Sequence, residues 1–195
     1  MKKVVVLIDG GHARVLVRQH NVAYNPDYIE KLAHACVIAD EDLIRVLYYD
    51  CALFEGDVPL PVSGQTKSYT ANNNWLRELG KKDFFAIRLG ILKFRGFKPK
   101  RTPITPATLS DSDFQPVFEQ KGVDMRIGLD IASYSDSRSV DRFIIVTADT
   151  DCVPAFKHAR KAGIQVVLVQ FPNSRQVGEL MEHADICRQV AFPPA

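Results

Sequence analysis

The sequence predicts an α/β protein with a mainly parallel central sheet and helices on both of its faces. Two observations carry that prediction. Residues 4–8 and 143–146 are apolar runs without alternation, and 164–169 is broken only by Gln165, which suits strands covered on both sides. Between such runs lie stretches whose apolar residues recur at helical spacing, so strand and helix alternate through most of the chain. A length of 195 residues, without a repeat or low-complexity tract, fits one domain with an elaborated middle at about residues 51–118.

Taken in order, Val4-Val5-Val6-Leu7-Ile8 is the first strand and stops at Asp9-Gly10-Gly11-His12, where the glycines allow a tight exit. A short helix is expected over about residues 13–20. Pro26-Asp27 opens a better helix, to about residue 38, with Tyr28, Ile29, Leu32, Ala33, Cys36 and Val37 as its buried stripe. Residues 42–50 read as a strand whose partial alternation suggests a place nearer the sheet edge. Residues 51–67 carry Gly56, Pro59, Pro61 and Gly64 and read as a loop. A helix is expected over 68–79, weakened by Asn72, Asn73 and Asn74. Residues 84–94 are strand-like, 101–113 irregular, and 117–119 a short strand. A helix of about a dozen residues follows Lys121-Gly122-Val123-Asp124, with Val123, Ile127, Ile131 and Tyr134 on its apolar face and Leu129 and Ala132 beside it. Phe143-Ile144-Ile145-Val146-Thr147-Ala148-Asp149-Thr150-Asp151 is a buried strand that stops at two carboxylates. A helix over 152–161, a strand over 164–169, a helix near 175–183 and a strand over 186–190 complete the chain.

Composition excludes little. Net charge is +2, so no global field announces nucleic acid or membrane. Cys36, Cys51, Cys152 and Cys187 form no CxxC pair and the histidines supply no zinc-like spacing, which points to reduced thiols in an intracellular protein. The apolar run at residues 4–8 is too short for a signal peptide or a membrane span, so a cytoplasmic protein without a membrane partner is expected.

Four carboxylates, Asp9, Asp124, Asp149 and Asp151, fall at strand ends or helix starts. An open parallel sheet gathers such residues beyond the carboxyl ends of its strands. Together they would repel one another, and a hard cation such as Mg²⁺, which takes oxygen ligands, relieves that repulsion. Such an ion can activate water against a phosphodiester. Each acid also has a plainer reading. Asp149 or Asp151 could cap the helix that follows, with Pro154 in its first turn, and Asp124 could cap its own helix. Asp9 is harder to read as a cap because two glycines follow it.

Three segments resemble the NYN-domain family of PIN-like, metal-dependent ribonucleases. They are Leu7-Ile8-Asp9-Gly10-Gly11, then Lys121-Gly122-Val123-Asp124-Met125 continuing to Leu129-Asp130, then Thr147-Ala148-Asp149-Thr150-Asp151-Cys152-Val153-Pro154. They stand in the family's order and span nearly the whole chain. The resemblance implies a PIN-like Rossmannoid fold, hydrolysis of RNA with Mg²⁺ or Mn²⁺, and an acidic site of Asp9, Asp124, Asp149 and Asp151. Asp9 and Asp149 would be the principal ligands, with Asp124 and Asp151 as ligands or as orienters of water. His12 stands where the family usually has asparagine, Ala148 replaces a glycine and Cys152 a phenylalanine.

Other residues fit an RNA partner. Lys93, Arg95, Lys98, Lys100 and Arg101 cluster with Phe94 and Phe97 and could grip a phosphate backbone while the aromatics stack on bases. Arg14 and Arg18, a turn apart beyond Asp9, could face phosphates. Thr147 and Thr150 could hydrogen-bond water or phosphate at the acidic site, and His12 has a polar role in the loop beside it. Asp130 lies nearly two turns from Asp124 and is expected to point elsewhere. A non-catalytic RNA-binding or partner-binding domain of the same fold stays open, as does a homo-oligomer. A small-molecule phosphatase is disfavoured, since there is no G-x-x-x-x-G-K loop and no second aspartate two residues after Asp9.

Overall fold

The computed structural model describes residues 1–104, 109–174 and 177–194. β1 (Lys2–Asp9) runs directly into α1 (Gly10–Gln19), followed by α2 (Pro26–Ala35) and β2 (Glu41–Ala52). A hairpin of β3 (Gly56–Pro59) and β4 (Thr66–Tyr69) precedes α3 (Asn74–Leu79) and the long β5 (Phe85–Pro99). β6 (Phe114–Lys121) leads to α4 (Val123–Ser137), β7 (Arg142–Val146) and α5 (Val153–Lys161). β8 (Gln165–Gln170), α6 (Gly178–His183) and β9 (Ile186–Gln189) follow.

The main sheet has the order β6-β5-β2-β1-β7-β8-β9. Every pair in it is parallel except β5 with β6. The α/β class with helices on both faces is therefore what the chain forms. β1 shows why its sequence does not alternate. Val4, Val6 and Ile8 enter the core under α1, α2 and α3, while Val5 and Leu7 enter the core under α4, α5 and α6. No helix among the described residues is long and apolar enough to cross a membrane.

Several expectations are corrected. β2 lies between β1 and β5, not near an edge. Its polar residues Asp42 and Arg45 precede Val46, where pairing with β5 begins. Residues 51–67 are not a simple loop, because β3 and β4 pair there. The helix expected over 68–79 is confined to α3, since β4 claims Ser68 and Tyr69 and Asn72 accepts the Asn74 N–H in a turn. β5 is longer than expected and carries a bulge between Phe94 and Phe97, where Gly96 takes a φ of +96°. β6 likewise runs well beyond 117–119. Leu129 is 62% exposed and not part of the buried stripe of α4, which is Val123, Ile127, Ile131 and Ser135. Residues 105–108 of the irregular stretch and 175–176 of the last expected helix lie outside the described residues.

The amino-terminal edge of the sheet is clamped by charge. The Glu41 side chain is fully buried and pairs with Arg142 of β7 and with Arg188 of β9, the latter at 2.7 Å. The Ile38 N–H also donates to it at 2.9 Å. Gln165 accepts from both Lys2 and Arg142.

Candidate metal centre

At the opposite edge, β1 and β7 end level with each other. Ile8 pairs with Val146, so Asp9 and Thr147 emerge side by side. α1 starts at once because Asp9 caps it: one carboxylate oxygen accepts from the Gly11 N–H at 2.9 Å and the His12 N–H at 3.2 Å. This corrects the expectation that Asp9 makes a poor cap and that α1 begins near residue 13. Gly10 serves close approach, not loop freedom. A Cβ there would lie 2.5 Å from the Tyr48 hydroxyl and 2.7 Å from the Tyr49 carbonyl.

Thr147 ties two acids together. Its hydroxyl donates to Asp9 Oδ2 at 3.3 Å and accepts from the Asp149 N–H at 3.1 Å. Asp149 in turn caps a 3-10 turn, Thr150–Cys152, by accepting the Asp151 N–H at 3.0 Å. The capping member of that pair is thus Asp149, and Asp151 carries no cap. Asp124 sits in the first turn of α4 without capping it, since Gly122 holds the N-cap position with a φ of +77°. The Asp149 cap consumes one oxygen and leaves the other, whereas both oxygens of Asp9 are engaged, one by the cap and one by the Thr147 hydroxyl.

Asp124, Asp149 and Asp151 each offer a carboxylate oxygen such that the three lie within 4.8 Å of one another. Asp9 falls outside that set, although its charge reaches Asp124. The Asp124 carboxyl is pushed above its ordinary pKa, first by burial, then by Asp149, Asp9 and Asp151. Burial, with the acids adding to it, pushes the neighbouring Cys152 thiol up to about 12. Burial lowers the His12 pKa against the pull of Asp9, so its imidazole is neutral at pH 7. The three-carboxylate donor set offers only oxygen, which fits a hard divalent cation.

The expected RNA contacts are sorted by their partners. Arg14 is engaged by the buried Asp50. Arg95 is engaged by Glu119, which also pairs with Lys121. Lys93, Lys98, Lys100, Arg101 and Arg18 are exposed. Phe94 and Phe97 are not free to stack on bases as expected: Phe94 packs with Phe54, Phe97 and Phe118 in an aromatic cluster. Asp130 points away from the acids, as expected, and binds Arg88 and the Tyr49 hydroxyl. Gln120 escaped the sequence reading. Its Oε1 comes within 3.8 Å of where a Gly11 Cβ would stand, which puts the end of β6 beside the site. Asp50 also escaped it, although a polar residue ending a strand was the available signal.

The NYN-domain family profile matches residues 65–189, which include Asp124, Asp149 and Asp151. The chain belongs to the NYN-domain family. That family is nuclease-like and generally metal-dependent. The match begins after β3 and does not include Asp9. A solved structure of a protein of unknown function from Vibrio parahaemolyticus is similar to this NYN domain with a TM-score of 0.52 and 17% identity, over 98% of this chain and 93% of that one. No curated protein matches the sequence.

Proposed function

We propose that this NYN domain is a ribonuclease that hydrolyses RNA phosphodiester bonds endonucleolytically, with Mg²⁺ or Mn²⁺ held by Asp124, Asp149 and Asp151 beside Asp9. The observation that carries this reading is the approach of three carboxylates to within 4.8 Å at the carboxyl edge of the sheet. A divalent cation bound there supplies activation of water and neutralises charge on the reacting phosphate. The chain's own residues do the positioning. Thr147 fixes Asp9 relative to Asp149, and the cap on α1 fixes Asp9 relative to the helix. Asp151 is exposed, and its carboxylate makes no hydrogen bond among the described residues. It is therefore open to ligate the ion directly or to orient a water on it. Arg18, Lys93, Lys98, Lys100 and Arg101 supply exposed positive charge for the RNA backbone.

The test is cleavage of a labelled single-stranded RNA with Mn²⁺ or Mg²⁺, by wild type and by Asp149→Asn. Cutting that depends on metal and drops by about 100-fold or more in the variant is expected, a loss at least as large as removing a residue that only orients a ligand. Equal trace activity in both proteins would mean a contaminating nuclease and would end the proposal.

A further inference from the structure

The first half of α4 carries two acids, and only Asp124 belongs to the acidic cluster. Asp130, six residues on, is held by the sheet instead. Its Oδ2 accepts the Tyr49 hydroxyl at 2.9 Å and the Arg88 Nε–H at 3.0 Å. Tyr49 is a fully buried residue of β2, and Arg88 belongs to β5. A buried hydroxyl is costly to leave unpaired, and a carboxylate that also holds a guanidinium is a strong, charge-assisted acceptor for it. Burial, and then Asp130, pushes the Tyr49 phenol above its ordinary pKa, so the proton stays on Tyr49 and the bond keeps its direction.

α4 has few other polar ties. Gly122 holds its N-cap position and supplies no capping side chain, and the Arg126 guanidinium turns back to the Gly122 carbonyl at 2.9 Å. Ser137 bonds within the carboxyl end of the helix, and Asp136 meets His158 of α5. Among the described residues, Asp130 alone makes side-chain hydrogen bonds from this helix to strands of the sheet. Val123, Ile127 and Ile131 bury the apolar stripe, but burial is non-directional and tolerates a small roll. Hydrogen bonds are directional and do not. Asp124 and Asp130 lie about 9 Å apart along one helix, so a roll at Asp130 moves Asp124 with it. Tyr49 is also the register partner of Asp9. One position of β2 therefore meets Asp9 through the backbone and the helix of Asp124 through its hydroxyl.

The geometry points to Tyr49, Asp130 and Arg88 as positioning residues that hold α4 at the roll which brings Asp124 to Asp149 and Asp151. None of the three touches metal or substrate. The assignment rests on the metal-centre reading for its consequence, while the hold itself is measurable without metal.

Two measurements on the same proteins test it. One is hydrogen exchange of the metal-free protein at the amides of residues 126–130. The other is Mn²⁺ binding, followed by loss of the free ion's electron paramagnetic resonance signal. Tyr49→Phe keeps the buried ring and removes only the hydroxyl, Asp130→Ala removes the acceptor, and Asp130→Asn keeps an acceptor oxygen for Tyr49. Tyr48→Phe is the control, since its hydroxyl donates to Asp50 on the opposite face of the sheet. Tyr49→Phe and Asp130→Ala should exchange about tenfold faster at 126–130 and bind Mn²⁺ about tenfold more weakly. Asp130→Asn should stay near wild type in both, and Tyr48→Phe should keep wild-type exchange at 126–130. Unchanged exchange in Tyr49→Phe overturns the proposal. Faster exchange with unchanged Mn²⁺ affinity overturns it as well, because the bond is then merely structural. A wild type that binds no Mn²⁺ would end the metal reading, and exchange alone would then decide the hold on Asp124.

Discussion

Asp124 carries the repulsion of the acidic site. Its pKa is raised by burial and then by Asp149, Asp9 and Asp151, so the folded state holds its proton more tightly than the unfolded chain does. Folded stability therefore falls as pH rises from the unfolded value, about 3.9, through the folded one. Asp124→Asn should melt higher than wild type at pH 7 without metal. It should also lose the stabilisation that Mn²⁺ gives wild type, about 2.7 kcal/mol at a hundredfold excess over Kd. Thermal melts with and without Mn²⁺ check both effects. Thr147→Val removes the hydroxyl that joins Asp9 to Asp149, and metal affinity or cleavage should drop by about 10–100-fold. At this scale the acids were legible in the sequence as residue types at strand ends. Their local duties were not. Gly10-Gly11 reads as a loop exit, whereas Gly10 starts α1 under the Asp9 cap and is held to glycine by the approach of Tyr48 from the neighbouring strand. The cap at Asp149 likewise depends on a 3-10 turn that no periodicity announces.

Among the elements, the β5–β6 pair carries most of the exposed charge that the proposed RNA contact would use. Its charge looked unopposed along the sequence, yet pairing brings Glu119 to Arg95 and Lys121. Lys98, Lys100 and Arg101 are left exposed toward the tip. Replacing those three with alanine should weaken binding to single-stranded RNA and reduce the slope of log K against log salt by about 2, since each phosphate contact on a single strand contributes about 0.7. Arg95→Ala should change that slope far less. Anisotropy titrations at several salt concentrations measure both. The strand assignments here were only half legible. β3 and β4 have four residues each, too few for alternation to stand out from the glycines and prolines around them. The extension of β5 past Phe94 is visible only through its pairing with β6 and the bulge at Gly96.

The whole molecule is a sheet with opposite chemistry at its two edges. At the amino-terminal edge Glu41 joins β2, β7 and β9 through Arg142 and Arg188. Burial opposes ionisation of Glu41, but hydrogen bonds from Arg188, the Ile38 backbone and Arg142 outweigh it and hold its pKa below the ordinary value. Its contribution is therefore present above the unfolded pKa, about 4.3, and is lost as pH falls through the folded one. Glu41→Ala should cost about 3–5 kcal/mol at pH 7, because two buried guanidinium groups lose their counter-charge. Denaturant melts at pH 7 and across the acid limb test this, and the variant's acid limb should be flatter. The parallel order of the core strands was legible from their unbroken apolar runs, but the clamp was not, since Glu41 and Arg188 are 147 residues apart. The reversal of β6 was equally hidden, and it has a consequence for how the domain can change. Ile91 and Lys121 are partners in register, so the two ends of the β5–β6 arm leave and re-enter the main sheet side by side. The arm is not free beyond that point: Phe54 packs on Phe94 and Phe118, and the Val62 and Ser63 N–H groups donate to Asp111. Trimming the arm would strip the β3–β4 hairpin of that packing, so arm and hairpin can be exchanged only together.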